Sequence, residues 1–188
     1  MSCLGHRPRR PASGRLAAAL TAVALAATSA LAAAPAQART PDCGIRGSLP
    51  EVRTQGSTGS VTDVRTGRHA CFDRLVLDVS GDVNGYVVRY VGQVRRDGSG
   101  APVRLRGGAS LEVVVTAPSV ATDAWFLPNG ELLDARGYRT FRHLAWAGSF
   151  EGQSTFGLGV RARLPFRVLV VDGPGTGSRL VVDVAHRW

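Results

Sequence analysis

Beyond residue 70, hydrophobic and polar positions alternate with a period of two along most of the chain. In FDRLVLDVS (72–80), Leu75, Leu77 and Val79 alternate with Arg74, Val76 and Asp78. That alternation sends one set of side chains to a core and the other to solvent, as in a half-buried strand. Similar runs recur in GYVVRYVGQV (85–94), ASLEVVVTA (109–117), SFEGQSTFGLGVRA (149–162), FRVLVVDG (166–173) and SRLVVDVAH (178–186). Turn formers punctuate them: Ser80-Gly81-Asp82, the Asp-Gly and Ser-Gly of RRDGSGAPV (95–103), Pro118, Pro128-Asn129-Gly130, Pro165 and the glycines at 173, 175 and 177. YRTFRHLAWA (138–147) fits a strand or a short helix. The pattern predicts an all-β domain, a β-sandwich or partly open barrel, of about seven or eight short, mostly antiparallel strands.

Two of these runs are near copies, RLVLDVS (74–80) and RLVVDVA (179–185). Within each, Arg and Asp share a face but stand four residues apart, roughly 13 Å along a strand, too far for a tight ion pair. If the two strands pair antiparallel about Val76 and Val181, Arg74 falls opposite Asp183 and Asp78 opposite Arg179. Such cross-strand pairs contribute roughly 0.2–1 kcal/mol each. An equivalent reading has each Asp bonding loop backbone at a corner of the sandwich. Both readings are structural rather than catalytic.

The N-terminus changes the picture of where this domain works. Residues 1–15 carry Arg7, Arg9, Arg10 and Arg15 without an acid, residues 16–34 are an Ala/Leu/Val-rich run, and Ala36-Gln37-Ala38 is a small-x-small site. This order of charged, apolar and small-residue regions is that of a cleavable export signal over 1–38. Membrane contact is expected only through that signal, if it stays uncleaved. Cleavage after Ala38 leaves 150 of the 188 residues, enough for one domain with a sizeable core. All 23 basic residues are Arg; four lie in the signal, leaving 19 against 14 acids. The Arg residues are scattered and no stacking-aromatic motif accompanies them, which argues against nucleic-acid binding.

Cys3 leaves with the signal, so the exported chain keeps Cys43 and Cys71. Two cysteines in an exported domain read as one disulfide. It would close a loop of about 28 residues and contribute on the order of 3 kcal/mol. The enclosed stretch is Gly/Ser/Thr-rich, so residues 39–70 are expected to be a flexible arm tethered by the bridge to a domain over 71–188.

Catalytic constellations are missing from the exported part. His69, His143 and His186 lie far apart without metal-ligand spacing, no GxSxG elbow occurs, and no acid pair is set by spacing. No enzyme, metal or cofactor is expected. Gly157 and Gly159 mark a bend, a bulge or a close approach between sheets. Binding chemistry fits better: aromatic rings stack on sugar faces, and Arg pairs with carboxylates bidentately. The candidate binding residues are Tyr86 and Tyr90, which share a strand face, the loop aromatics Trp125 and Phe126, and Arg161 and Arg163. The tyrosines fit equally a core with hydroxyls at its rim, and the loop aromatics fit a cover over the barrel end.

The head FDRLVLDVSG with GYVVRYVGQV, the DGSG turn, and the tail FEGQSTFGLGVRARLPFRVLVVDGP with SRLVVDVAH resemble the AMIN-like domain of small exported actinobacterial proteins. The resemblance covers 71–188. It implies a secreted or wall-associated, non-catalytic β-sandwich module that binds the cell envelope, its partner being peptidoglycan or a wall-processing protein. The alternative expectation is an exported inhibitor or regulator of a secreted hydrolase.

Overall fold

The computed structural model describes residues 44–47, 49–119, 125, 127 and 131–188. The export signal, Cys43, Phe126 and Pro128-Asn129-Gly130 therefore lie outside the described residues. Strands β1 (Glu51–Thr54), β4 (Gly85–Val91), β7 (Ala109–Val115), β8 (Phe141–Phe150) and β9 (Gln153–Val160) form one sheet in the order β1-β4-β7-β9-β8. The second sheet orders β10 (Phe166–Asp172), β11 (Ser178–Ala185), β3 (Phe72–Val79) and β2 (Val61–Arg68) as β10-β11-β3-β2. A two-stranded ribbon, β5 (Val94–Arg95) with β6 (Pro102–Val103), completes the list. Every ladder between these strands is antiparallel. The predicted all-β sandwich is thus what the chain forms.

The inward sets are those the alternation marks. Leu75 and Leu77 of β3, Leu180, Val182 and Val184 of β11, Leu111, Val113 and Val115 of β7, and Phe156, Leu158 and Val160 of β9 belong to one buried cluster. Burying a side chain of this size contributes about 1.5–3 kcal/mol, so the two sheets are held mainly by this layer. The segment 138–147 resolves as strand: Phe141 and Leu144 reach the core only because β8 shifts register between Phe141 and His143. That shift breaks the period of two and explains the helical look of the sequence. The β8–β9 hairpin turns on Glu151 and Gly152, both with positive φ (49° and 79°), the geometry of a type I′ turn.

Residues 51–54 and 61–68, read from sequence as part of a flexible arm, are strands. β1 pairs with β4 and β2 with β3. β1 is exposed on every residue, and in β2 only Val61 is buried. Edge strands of this kind carry too little apolar alternation to be recognised from one sequence.

The chain between β4 and β7 forms a strap over the outer face of the five-stranded sheet. Val94, Val103 and Ala147 are buried there, with Val91, Leu105 and Ala145 packed around them. Gly157 and Gly159 make room for it: a Cβ on Gly157 would stand 3.1 Å from Leu105 Cδ1, and one on Gly159 only 2.0 Å from the Arg106 carbonyl oxygen. The close approach is of strap to sheet, not of sheet to sheet.

Under the strap, Asp97 accepts a hydrogen bond from Thr155 Oγ1 at 2.9 Å through Oδ1, while its buried Oδ2 has no hydrogen-bond partner among the described residues. Burial raises its carboxyl above the ordinary value, with Glu112 adding to the rise and the Thr155 bonds opposing it. A group whose pKa is higher folded than unfolded binds more protons in the folded state, so stability falls as pH rises through that window. Asp97→Asn should therefore be more stable than wild type at pH 7, the advantage shrinking as pH falls through the raised folded value toward the ordinary carboxylate value and levelling off below it. Urea melts at a series of pH values check this; a variant less stable at neutral pH would refute it.

Candidate functional site: an arginine-rich end of the sandwich

Two sets of arginines are built differently. The first lies on the outer face of the four-stranded sheet. Val76 pairs with Val181, Arg74 with Asp183 and Asp78 with Arg179. Arg74 Nε and Nη2 donate to Asp183 Oδ1 and Oδ2 at 2.6 and 2.8 Å, and Arg167 Nε of β10 donates to Oδ2 at 2.8 Å. Asp183 is 0% exposed. The guanidiniums of Arg74 and Arg167 each lie 5.1 Å from the Phe72 ring centroid, so the aromatic ring stacks with both cations. Asp78 is likewise held by Arg179 Nε at 2.9 Å and Arg65 Nε at 2.8 Å. These charges are consumed within the sheet. Their geometry is that of a structural brace, and it offers no general acid or nucleophile.

The second set lies at one end of the sandwich. Antiparallel order puts the connectors 55–60, 80–84, 116–119, 151–152 and 173–177 at one end; they carry Asp82 and Glu151 and no Arg. The described connectors at the other end, 69–71, 106–108, 131–140, 161–165 and 186–188, carry six Arg and two acids. Both acids are taken. Arg106 clamps Glu131 with bonds of 2.5 and 2.8 Å, and Arg136 holds Asp134, lowering its carboxyl to about 2. Arg139, Arg161, Arg163 and Arg187 have no carboxylate partner among the described residues, and all four are exposed.

The β9–β10 connector divides these four between two grooves. Arg163 enters a groove of about 360 Å³ with Tyr90, Gly92, Gly107, Gly108 and Ser110. Its guanidinium lies 5.1 Å from the Tyr90 ring centroid. Tyr90 Oη donates to the Leu164 carbonyl at 2.8 Å and accepts from the Leu164 amide at 3.0 Å, and burial raises the phenol, keeping it protonated. Arg161 enters a second groove of about 330 Å³ with Ala70, Cys71, Arg139, His186 and Arg187.

The sequence candidates divide accordingly. Arg161, Arg163 and Tyr90 meet at this end. Tyr86 is 4% exposed and belongs to the core cluster. Trp125 is 7% exposed; its ring centroid lies 6.2 Å from that of Phe156, and its Nε1 donates to the Thr62 carbonyl at 3.4 Å. It covers the core rather than projecting. Phe126 lies outside the described residues. Arg139, His186 and Arg187 were not picked out, since each stands alone in its own connector and only the fold joins them. Among the described residues, no group of three or more His, Cys, Asp or Glu is placed to hold a metal.

A family model for the AMIN-like domain matches residues 59–186. The chain belongs to the AMIN-like family. The match takes in β2 to β11 and every lining residue of both grooves except Arg187, so most of the arginine-rich end is part of the AMIN-like domain itself. Membership points to an envelope- or peptidoglycan-related module, in a family of non-catalytic, extracytoplasmic domains. No curated protein and no solved structure matches the chain.

Proposed function

We propose that this AMIN-like domain is an exported, non-catalytic module that binds peptidoglycan through its arginine-rich end. The observation carrying this reading is the one-ended charge: four exposed arginines without carboxylate partners among the described residues flank two grooves, while the opposite connectors hold no Arg. Peptidoglycan offers carboxylates to guanidiniums and sugar faces to a ring such as Tyr90. Removal of 1–38 and a Cys43–Cys71 bridge belong to the same proposal, supported by the signal pattern and the two cysteines left after cleavage.

Purified protein should co-sediment with peptidoglycan sacculi. Arg161→Ala/Arg163→Ala should weaken that binding by about tenfold or more, the loss of two charge-assisted contacts. Arg95→Ala, outside both grooves, should bind like wild type. Absence of sedimentation at low salt would overturn the reading and leave an envelope protein as the partner.

A further inference from the structure

We infer that the groove between the β9–β10 connector and the end of β11 is an oxyanion site, built to take one carboxylate or phosphate group. Four separate segments converge there: Ala70 and Cys71 before β3, Arg139 before β8, Arg161 after β9, and His186 and Arg187 after β11. Three guanidiniums line a space of about 330 Å³, and among the described residues no carboxylate lines it.

The groove is braced from beneath. Asp73 is 1% exposed and accepts from the Thr140 amide at 2.6 Å and the Phe141 amide at 3.1 Å through Oδ2. Its Oδ1 lies 3.1 Å from His186 Nε2, while His186 Nδ1 lies 3.2 Å from the Ala70 carbonyl. Both partners are acceptors, so a neutral ring donates to one of them and only a protonated ring to both. Asp73 thus faces His186 from inside, and among the described residues no carboxylate pairs with the three arginines.

Two of those arginines are already oriented. Arg161 Nη2 donates to the His186 carbonyl, and Arg139 Nη1 donates to the Ala70 carbonyl at 3.4 Å. Each bond occupies one of the five N–H donors of a guanidinium, which leaves a fork for an incoming oxyanion. Holding the forks before the ligand arrives lowers the ordering cost of binding. The Tyr90 groove is built otherwise, with one arginine, an aromatic ring and three glycines. It suits a neutral sugar face better than an anion.

This inference rests on the wall-binding reading only for the source of the ligand. The purified protein, with arginine side chains observed by Nε–Hε NMR, is titrated separately with N-acetyl-D-alanine and inorganic phosphate, against a sodium chloride control. Saturable shifts of Arg139, Arg161 and Arg187, weakened about tenfold or more in Arg139→Gln/Arg161→Gln, are the expected result. Saturation by the carboxylate probe assigns a peptide or sugar acid; saturation by phosphate alone assigns a phosphate-bearing polymer. Arg139→Lys/Arg161→Lys keeps the charge but not the fork, so it should recover little of the loss. Shifts that follow ionic strength alone, equal at Arg95 and Arg136, would overturn the site. Failure to sediment with sacculi alongside saturable anion binding would sink only the wall reading.

Discussion

Asp183→Ala should lower the unfolding free energy by about 3 kcal/mol, a fall of roughly 6–12 °C in Tm for a domain of this size. The carboxylate is fully buried and receives three bonds, two from Arg74 and one from Arg167. Removing it leaves two guanidiniums facing one another across an apolar gap. The side chains of Arg74 and Arg167 are 28% and 36% exposed, so both can swing toward water. That escape puts the expected cost at the low end of the range for breaking a buried pair, about 3–5 kcal/mol. Asp183→Asn should be nearly as costly, because its amide would point N–H groups at guanidinium donors. The comparison with Asp78→Ala is diagnostic. Asp78 keeps 13% side-chain exposure and its partners Arg65 and Arg179 are 50% and 34% exposed, so about 1–2 kcal/mol is expected there. Arg74→Met/Asp183→Leu/Arg167→Met, which removes all three charges, should recover most of the stability. Urea titrations of the four variants read these values. A loss below about 1 kcal/mol for Asp183→Ala would mean that the triad is a surface pair in energetic terms.

The ladder that holds this triad was readable from two seven-residue words, and the reason is physical. A period of two with a charge at each end specifies both the buried face and the partner that cancels the charges. What the words did not contain was Arg167, the third member, which lies on a neighbouring strand in the run FRVLVVD, whose one acid, Asp172, stands five residues away on the other face. Hence the scale differs from the modest contribution of an exposed cross-strand pair. The strands at the margins were harder. β2 reads VTDVRTGR and buries Val61 alone, so its membership comes from hydrogen bonds to β3 rather than from its side chains. The binding end was harder still. Arg161 and Arg163 stand two apart in one connector and could be singled out, whereas Arg139 and Arg187 reach the same groove as Arg161 from segments 22 and 26 residues away. Proximity of that kind is a property of sheet order, and a linear motif cannot encode it.

Gly159→Val should cost about 2–4 kcal/mol, the upper part of the range for overpacking plus a lost hydrogen bond. At this position a Cβ would lie 2.0 Å from the Arg106 carbonyl oxygen, and backbone cannot move aside as a flexible side chain does. The strap would have to lift. Lifting it strains the 2.8 Å bond from the Gly108 amide to the Val160 carbonyl and the contact of the Arg106 amide with His143 Nδ1 at 3.3 Å. Gly157 is the control on the same strand. Its Cβ would meet the side chains of Leu105 and Val94 at 3.1 and 3.2 Å, which can give by a few tenths of an ångström, so Gly157→Ala should cost about 1 kcal/mol. Gly92→Ala, with nothing within 4 Å, should be close to neutral. The effect of Gly159→Val should also be directional. Gly107 and Gly108 are the strap residues that border the Tyr90 groove, and Arg106 beside them clamps Glu131. The variant should therefore disturb amide signals of 106–110 and of Tyr90 while leaving those of Arg139 and His186 near their wild-type positions. Equal losses for Gly157→Ala and Gly159→Val, or signals moved uniformly across both grooves, would show that the two glycines serve sheet propensity rather than the seat of the strap.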